Sequence, residues 1–242
     1  MPQKKILAFS SSKVGNSVYL ETATPLIKKF LGDSPLTIAF IPFASVSSSY
    51  AEYSQKVETA FRHLPYKIIT AEHHNAVDVV SHADVIMIGG GNTFKLLHDI
   101  YKLKLTELIK EKVNNGTPYI GWSAGSNLCS PGIFTSNDMP IIEPESFKAF
   151  GFFPFQVNPH YYNFVASGFN GETRDQRLEE FMQLNTSHKV LGLPEGTSIK
   201  MENEKLELLG PANATLFFYD ENKKLSRKEI TPGDDISFLL SK

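Results

Sequence analysis

Short apolar runs alternate with helix-like stretches along most of this chain, and that alternation limits the folds open to it. The runs are Ile6–Phe9, Leu36–Pro42, Tyr66–Thr70, Asp84–Ile88, Pro118–Gly121 and Val190–Leu193. Helical patterning occupies Tyr19–Leu31, Tyr50–His63, Asn92–Tyr101 and Leu103–Asn115. Continuously apolar strands separated by helices predict an α/β fold: a mostly parallel sheet buried on both faces between helices. After about Gly196 the texture changes. Ser198–Met201, Leu206–Leu209 and Thr215–Tyr219 are separated by polar turns, which predicts antiparallel hairpins at the sheet edge. With 242 residues and no interdomain linker, the expectation is one domain over residues 1–242.

Composition narrows the class. A formal net charge of −2 carries no footprint for nucleic acid or an anionic membrane. No apolar run approaches the roughly 18 residues of a spanning helix, and Ile6–Phe9 is too short for the core of a signal peptide. Cys129 stands alone, so no internal disulfide is possible. A cytoplasmic protein is the expectation.

In an open parallel sheet, ligands bind beyond the carboxyl ends of the strands. Four such ends lead into polar or glycine-rich turns: Ser10-Ser11-Ser12, Gly89-Gly90-Gly91-Asn92-Thr93, Gly121-Trp122-Ser123-Ala124-Gly125 and Pro194-Glu195-Gly196. The third fits G-x-S-x-G, in which a tight strand-to-helix corner pushes a serine outward and only small neighbours fit. Ordinary tight turns share the pattern, so Ser123 needs partners to count as a nucleophile.

The base is expected to be a histidine. His63, His73, His74, His82, His98 and His188 lie in helical or polar segments and read as solvated. His160 follows Phe155-Gln156-Val157-Asn158-Pro159, directly after a strand-like run. Two carboxylates compete to orient it. Glu195, held between proline and glycine, is preferred, because Asp138 in Ser136-Asn137-Asp138-Met139-Pro140 also suits an Asx turn. The order Ser123, His160, Glu195 excludes an ordinary α/β-hydrolase, where the acid precedes the histidine. The N–H of Ala124, after the nucleophile, is one natural oxyanion donor, and the Gly89–Gly91 run can bring up a second. That run fits neither a Walker loop nor G-x-G-x-x-G, whose last position holds Phe94. Cys129, six residues past Ser123, reads as a small buried core residue.

Gly89–Phe94, Gly121–Gly125, Asn137–Pro140, Asn158–His160, Gly171–Arg174 and Gly192–Gly196 together resemble peptidase E. This is the α-aspartyl dipeptidase group of serine peptidases, whose fold is related to class I glutamine amidotransferases. The resemblance spans nearly the whole chain. It implies release of amino-terminal aspartate from Asp-Xaa dipeptides without metal or cofactor, with Ser123, His160 and Glu195 as the triad. It also implies Gly91 and Ala124 as oxyanion donors, and Arg174 and Asn92 as substrate-binding residues. Small acidic dipeptides are then the expected ligands, and a homo-oligomer is compatible with the group. Thr173 and Gln176 fit a capping box that puts Arg174 at the first helical position, where the macrodipole disfavours a cation. A guanidinium held there suits bidentate capture of a carboxylate. The rival readings are a cyanophycinase-like hydrolase of β-aspartyl-arginine links and a non-catalytic binding protein on the same scaffold.

Overall fold

The computed structural model describes residues 4–165, 167, 168 and 170–241. Its main sheet contains β1 (Lys5–Phe9), β2 (Leu36–Ile41), β3 (Tyr66–Thr70), β4 (Val85–Ile88), β5 (Tyr119–Trp122), β8 (Ser198–Glu202) and β9 (Lys205–Leu209). The order is β3-β2-β4-β5-β1-β8-β9. The five strands from β3 to β1 are parallel, and β8 and β9 extend that edge as an antiparallel hairpin.

Alternation along each strand assigns the two faces. Leu7, Phe9, Ile38, Phe40, Val85, Met87, Ile120 and Trp122 face α1 (Ala23–Leu31) and α2 (Tyr50–Phe61). Ile6, Ala8, Ala39, Ile41, Ile86, Ile88 and Tyr119 face α3 (Ala76–His82), α4 (Thr93–Lys102) and α5 (Leu105–Asn114). Both faces are covered, which is why the strands read as unbroken apolar runs rather than as alternating ones. α2 begins with a full capping box between Ser49 and Glu52.

Three expectations change. Val190–Leu193 (β7) does not join the main sheet. It pairs in parallel with β6 (Gln156–Pro159) in a second sheet of order β11-β10-β7-β6, completed by β10 (Ala214–Tyr219) and β11 (Leu225–Ile230). Of the C-terminal strands, only β8 and β9 therefore edge the main sheet. An apolar run reports burial, not which sheet buries it. The first helix starts at Ala23 rather than near Tyr19, because turns over residues 14–21 and a left-handed Leu20 (φ 58°) block its extension backward. α3, seven residues long, spans too few turns to show a helical pattern in the sequence.

One apolar core continues from the lower face of the main sheet into the second sheet, from Ile86 and Tyr119 to Val157, Leu191 and Leu216. Phe150, Phe152, Phe153 and Phe155 fill the junction. Among the described residues no helix is long and apolar enough to cross a membrane.

Ile86 is fully buried in the central strand β4, whereas Leu184 is 89% exposed. Ile86→Ala is expected to lower unfolding free energy by about 2–5 kcal/mol. Leu184→Ala should change it by no more than about 0.5 kcal/mol. Urea titrations of the two variants check the contrast.

Candidate active site

The strand order places the ends of β4, β5 and β1 side by side. Gly89–Gly91, Ser123 and Ser10–Ser12 therefore share one rim. In the second sheet, β6 and β7 run parallel with Pro159 opposite Leu193, so His160 and Glu195 emerge together. The two rims meet.

Ser123 sits at the corner between β5 and α6 (Ala124–Asn127) with φ 53° and ψ −112°, a backbone state that few non-glycine residues adopt. The corner is braced on all sides. Ser123 N–H donates to the Phe9 carbonyl (3.1 Å), and Ser126 Oγ donates to the carbonyls of Phe9 (2.6 Å) and Gly121 (3.0 Å). Tyr119 donates its hydroxyl to the Gly125 carbonyl (2.6 Å). A Cβ on Gly121 would come 2.7 Å from the Gly125 carbonyl carbon, and one on Gly125 would collide with the Ile88 carbonyl. Both glycines of G-x-S-x-G are thus required by close backbone approach.

His160 Nε2 lies 3.0 Å from Ser123 Oγ, and its Nδ1 lies 2.8 Å from Glu195 Oε1. An ionised carboxylate only accepts, so Nδ1 carries the proton and Nε2 is left to accept from the serine hydroxyl. The three side chains form one relay, partly open to solvent at His160 and Glu195. His160 has φ 53°, and its backbone is pinned by a residue from the other sheet. Ser10 Oγ accepts from His160 N–H (2.9 Å) and donates to the Leu193 carbonyl (2.8 Å). Ser11 Oγ accepts from Gly196 N–H (3.2 Å). The serine run after β1 thereby clamps both the histidine and the glutamate turn. The sequence marked these serines only as one polar strand end.

The N–H of Gly91 and that of Ala124 donate to no described residue. Gly91 (φ 136°) is pressed onto the Ala44 backbone, where a Cβ would collide with the Ala44 carbonyl, and a Cβ on Gly90 would lie 2.9 Å from Ser123 Cβ. The glycine run therefore lies against the serine. Asn92 caps α4, its Oδ1 accepting from Lys95 N–H (3.0 Å), and its Nδ2 donates to the Met139 carbonyl (2.9 Å). One amide N–H of Asn92 remains.

Asp138 does not reach the histidine, whose two ring nitrogens are both engaged elsewhere. Its Oδ2 instead accepts from Thr93 N–H (2.7 Å), Thr93 Oγ1 (2.5 Å) and Ser136 Oγ (3.3 Å). Arg174 opens α7 (Arg174–Leu184) behind the capping box of Thr173 and Gln176. Its guanidinium makes no ion pair among the described residues. Burial and the nearby Arg177 work against its charge, and Asp138 favours it. The next residue, Asp175, is buried and accepts from Tyr161 (2.6 Å), Asn163 (2.8 Å) and Arg227, tying α7 to the chain just after His160. Cys129 is buried, and burial pushes its thiol up, so it is not the nucleophile of this site.

Residues 6–209 match the sequence model of peptidase family S51. The chain belongs to that family. It is 46% identical to peptidase E of Nostoc sp., covering all of this chain and 98% of that protein. It is also 46% identical to peptidase E of Shewanella oneidensis, covering 97% of this chain and 98% of the other. Among solved structures, a peptidase from an acI-B1 actinobacterium superposes with a TM-score of 0.67 at 20% identity, covering 97% of both chains. Family S51 membership makes the chain a peptidase, and the bridged serine and histidine lie where its strand ends meet.

Removing the Ser10 hydroxyl strands the His160 N–H and takes one of two donors from the Leu193 carbonyl, which keeps Tyr161 N–H (2.9 Å). Ser10→Ala is expected to cost about 1–3 kcal/mol of stability, read from denaturant unfolding. A loss under about 0.5 kcal/mol would mean that the clamp is dispensable.

Proposed function

We propose that the protein is a serine dipeptidase that hydrolyses Asp-Xaa dipeptides. The observation carrying this reading is the hydrogen-bonded series Ser123–His160–Glu195, at 3.0 and 2.8 Å, on a strained strand-to-helix corner. Ser123 Oγ attacks the aspartyl carbonyl carbon as its proton passes to His160 Nε2, and Glu195 stabilises the imidazolium. The N–H groups of Gly91 and Ala124 receive the oxyanion. The C–N bond breaks as His160 returns the proton to the departing amine, leaving an aspartyl ester on Ser123. Water then gives a proton to His160 and attacks the ester, releasing aspartate and restoring the serine.

Specificity follows from charge. Arg174 is a half-buried cation that forms no ion pair among the described residues, suited to grip the substrate's β-carboxylate. The remaining N–H of Asn92 is a further donor on that rim. Beside Ser123 and Asn92, a cleft of about 620 Å³ lined also by Tyr19, Tyr53, Lys56 and Trp122 offers room for the leaving residue. Its cation, Lys56, suits that residue's free carboxylate.

Ser123→Ala is expected to abolish hydrolysis of Asp-Leu, and Glu195→Gln to lower kcat by up to about 10⁴. Wild-type rates in Ser123→Ala would end the serine mechanism. Arg174→Met should cut kcat/KM for Asp-Leu by about 10–100-fold, the worth of a charged hydrogen bond, while leaving Asn-Leu nearly unchanged. Assays on Asp-Leu, Asn-Leu, Glu-Leu and β-aspartyl-arginine test this, the last being the substrate of the cyanophycinase-like alternative.

A further inference from the structure

Asp138 stands beside the nucleophile, yet it orients nothing on the histidine. All three hydrogen bonds it accepts fall on Oδ2, from Thr93 and Ser136, and Oδ1 accepts none from a described residue. It lines a small pocket with Ser123, Ala124, His160, Thr93 and Asn127, of about 20 Å³. Such a space admits one water-sized group, for which about 10–15 Å³ suffices. Asn127, four residues past Ser123, is 2% exposed, and its carbonyl Oδ1 is buried without a partner among the described residues. A buried amide oxygen left unsatisfied in a native site calls for a missing donor.

Two residues lining the pocket thus each carry an oxygen that accepts from no described residue, a carboxylate oxygen of Asp138 and the amide oxygen of Asn127. A primary ammonium matches this pair: water-sized, cationic and carrying three donors. In an amino-terminal residue the α-nitrogen lies only about 2.5 Å from the carbonyl carbon, by standard bond lengths and angles. An ammonium attached next to the attacked carbon must therefore lie close beside Ser123. We infer that Asp138 and Asn127 form the receptor for the substrate's free α-ammonium, an inference that rests on Ser123 attacking the amino-terminal aspartyl residue. Arg174 and Asp138 then form a cation–anion pair of receptors, matched to the β-carboxylate and α-ammonium of one aspartyl group. Free amino termini would be selected by this pocket, not by the relay.

The experiment compares Asp-Leu with succinyl-Leu, which is the same molecule without the amine, and with N-acetyl-Asp-Leu. Wild type is expected to favour Asp-Leu over both by about 10–100-fold in kcat/KM, the range of a charged hydrogen bond. Asp138→Asn should lose most of that factor on Asp-Leu and stay within about threefold on succinyl-Leu, so that the two substrates converge. Equal losses on both substrates would overturn the inference, since a residue that orients the histidine or merely holds the fold affects both alike. The wild-type comparison needs no variant to fold: equal rates on Asp-Leu and succinyl-Leu would refute the receptor while leaving the aspartyl dipeptidase intact. Hydrolysis of neither Asp-Leu nor succinyl-Leu by wild type, with another peptide cleaved, would instead overturn the underlying reading and the receptor with it.

Discussion

The Ser10 hydroxyl ties together the two halves of this site. Ser10 lies at the end of a main-sheet strand, while His160 and Leu193 lie at the ends of strands in the second sheet. Its oxygen accepts from His160 N–H, which has no other partner among the described residues, and its proton goes to the Leu193 carbonyl beside the bond from Tyr161 N–H. That matters energetically, because a buried polar group without a partner costs about 1–3 kcal/mol. The relay spans this junction, with Ser123 on one sheet and the histidine and glutamate on the other. Any slip between the sheets would open the 3.0 Å contact on which the proposed chemistry depends.

The serine corner is held by the same economy. A left-handed serine is a strained conformation, which persists only when its surroundings over-determine it. Here they do so through hydrogen bonds to Phe9 and from Ser126 and Tyr119, and through two glycines with no space for a Cβ. The strain is local, and the brace comes from the central strands.

Two carboxylates of similar promise end in different places. Glu195 follows β7, the strand paired with the one that delivers His160, so the two side chains meet. Asp138 hangs from a loop that packs on the start of α4, and Thr93 takes one of its oxygens. The difference is topological, not chemical. Asp138 remains beside Ser123 with a second oxygen that accepts from no described residue, and Asn127 adds an acceptor without a partner among the described residues.

The parallel sheet, its covering helices, the serine corner and the histidine after Pro159 were legible in the chain, because each depends on local patterning: apolar runs, small residues around a turn, a cap before a helix. The placement of Val190–Leu193 in a second sheet was not, since an apolar run looks the same in whichever sheet buries it. Nor was the clamp made by Ser10, 150 residues from the histidine it holds, because a hydroxyl carries no sign of its distant partner. Turn chemistry in the sequence favours Glu195 over Asp138 only weakly, and the pairing of β6 with β7 brings one carboxylate to the ring and leaves the other aside. Sequence spacing records what neighbours along the chain can do. Which strand ends meet is decided by long-range pairing and burial, and the meeting of this site's parts belongs to the tertiary structure.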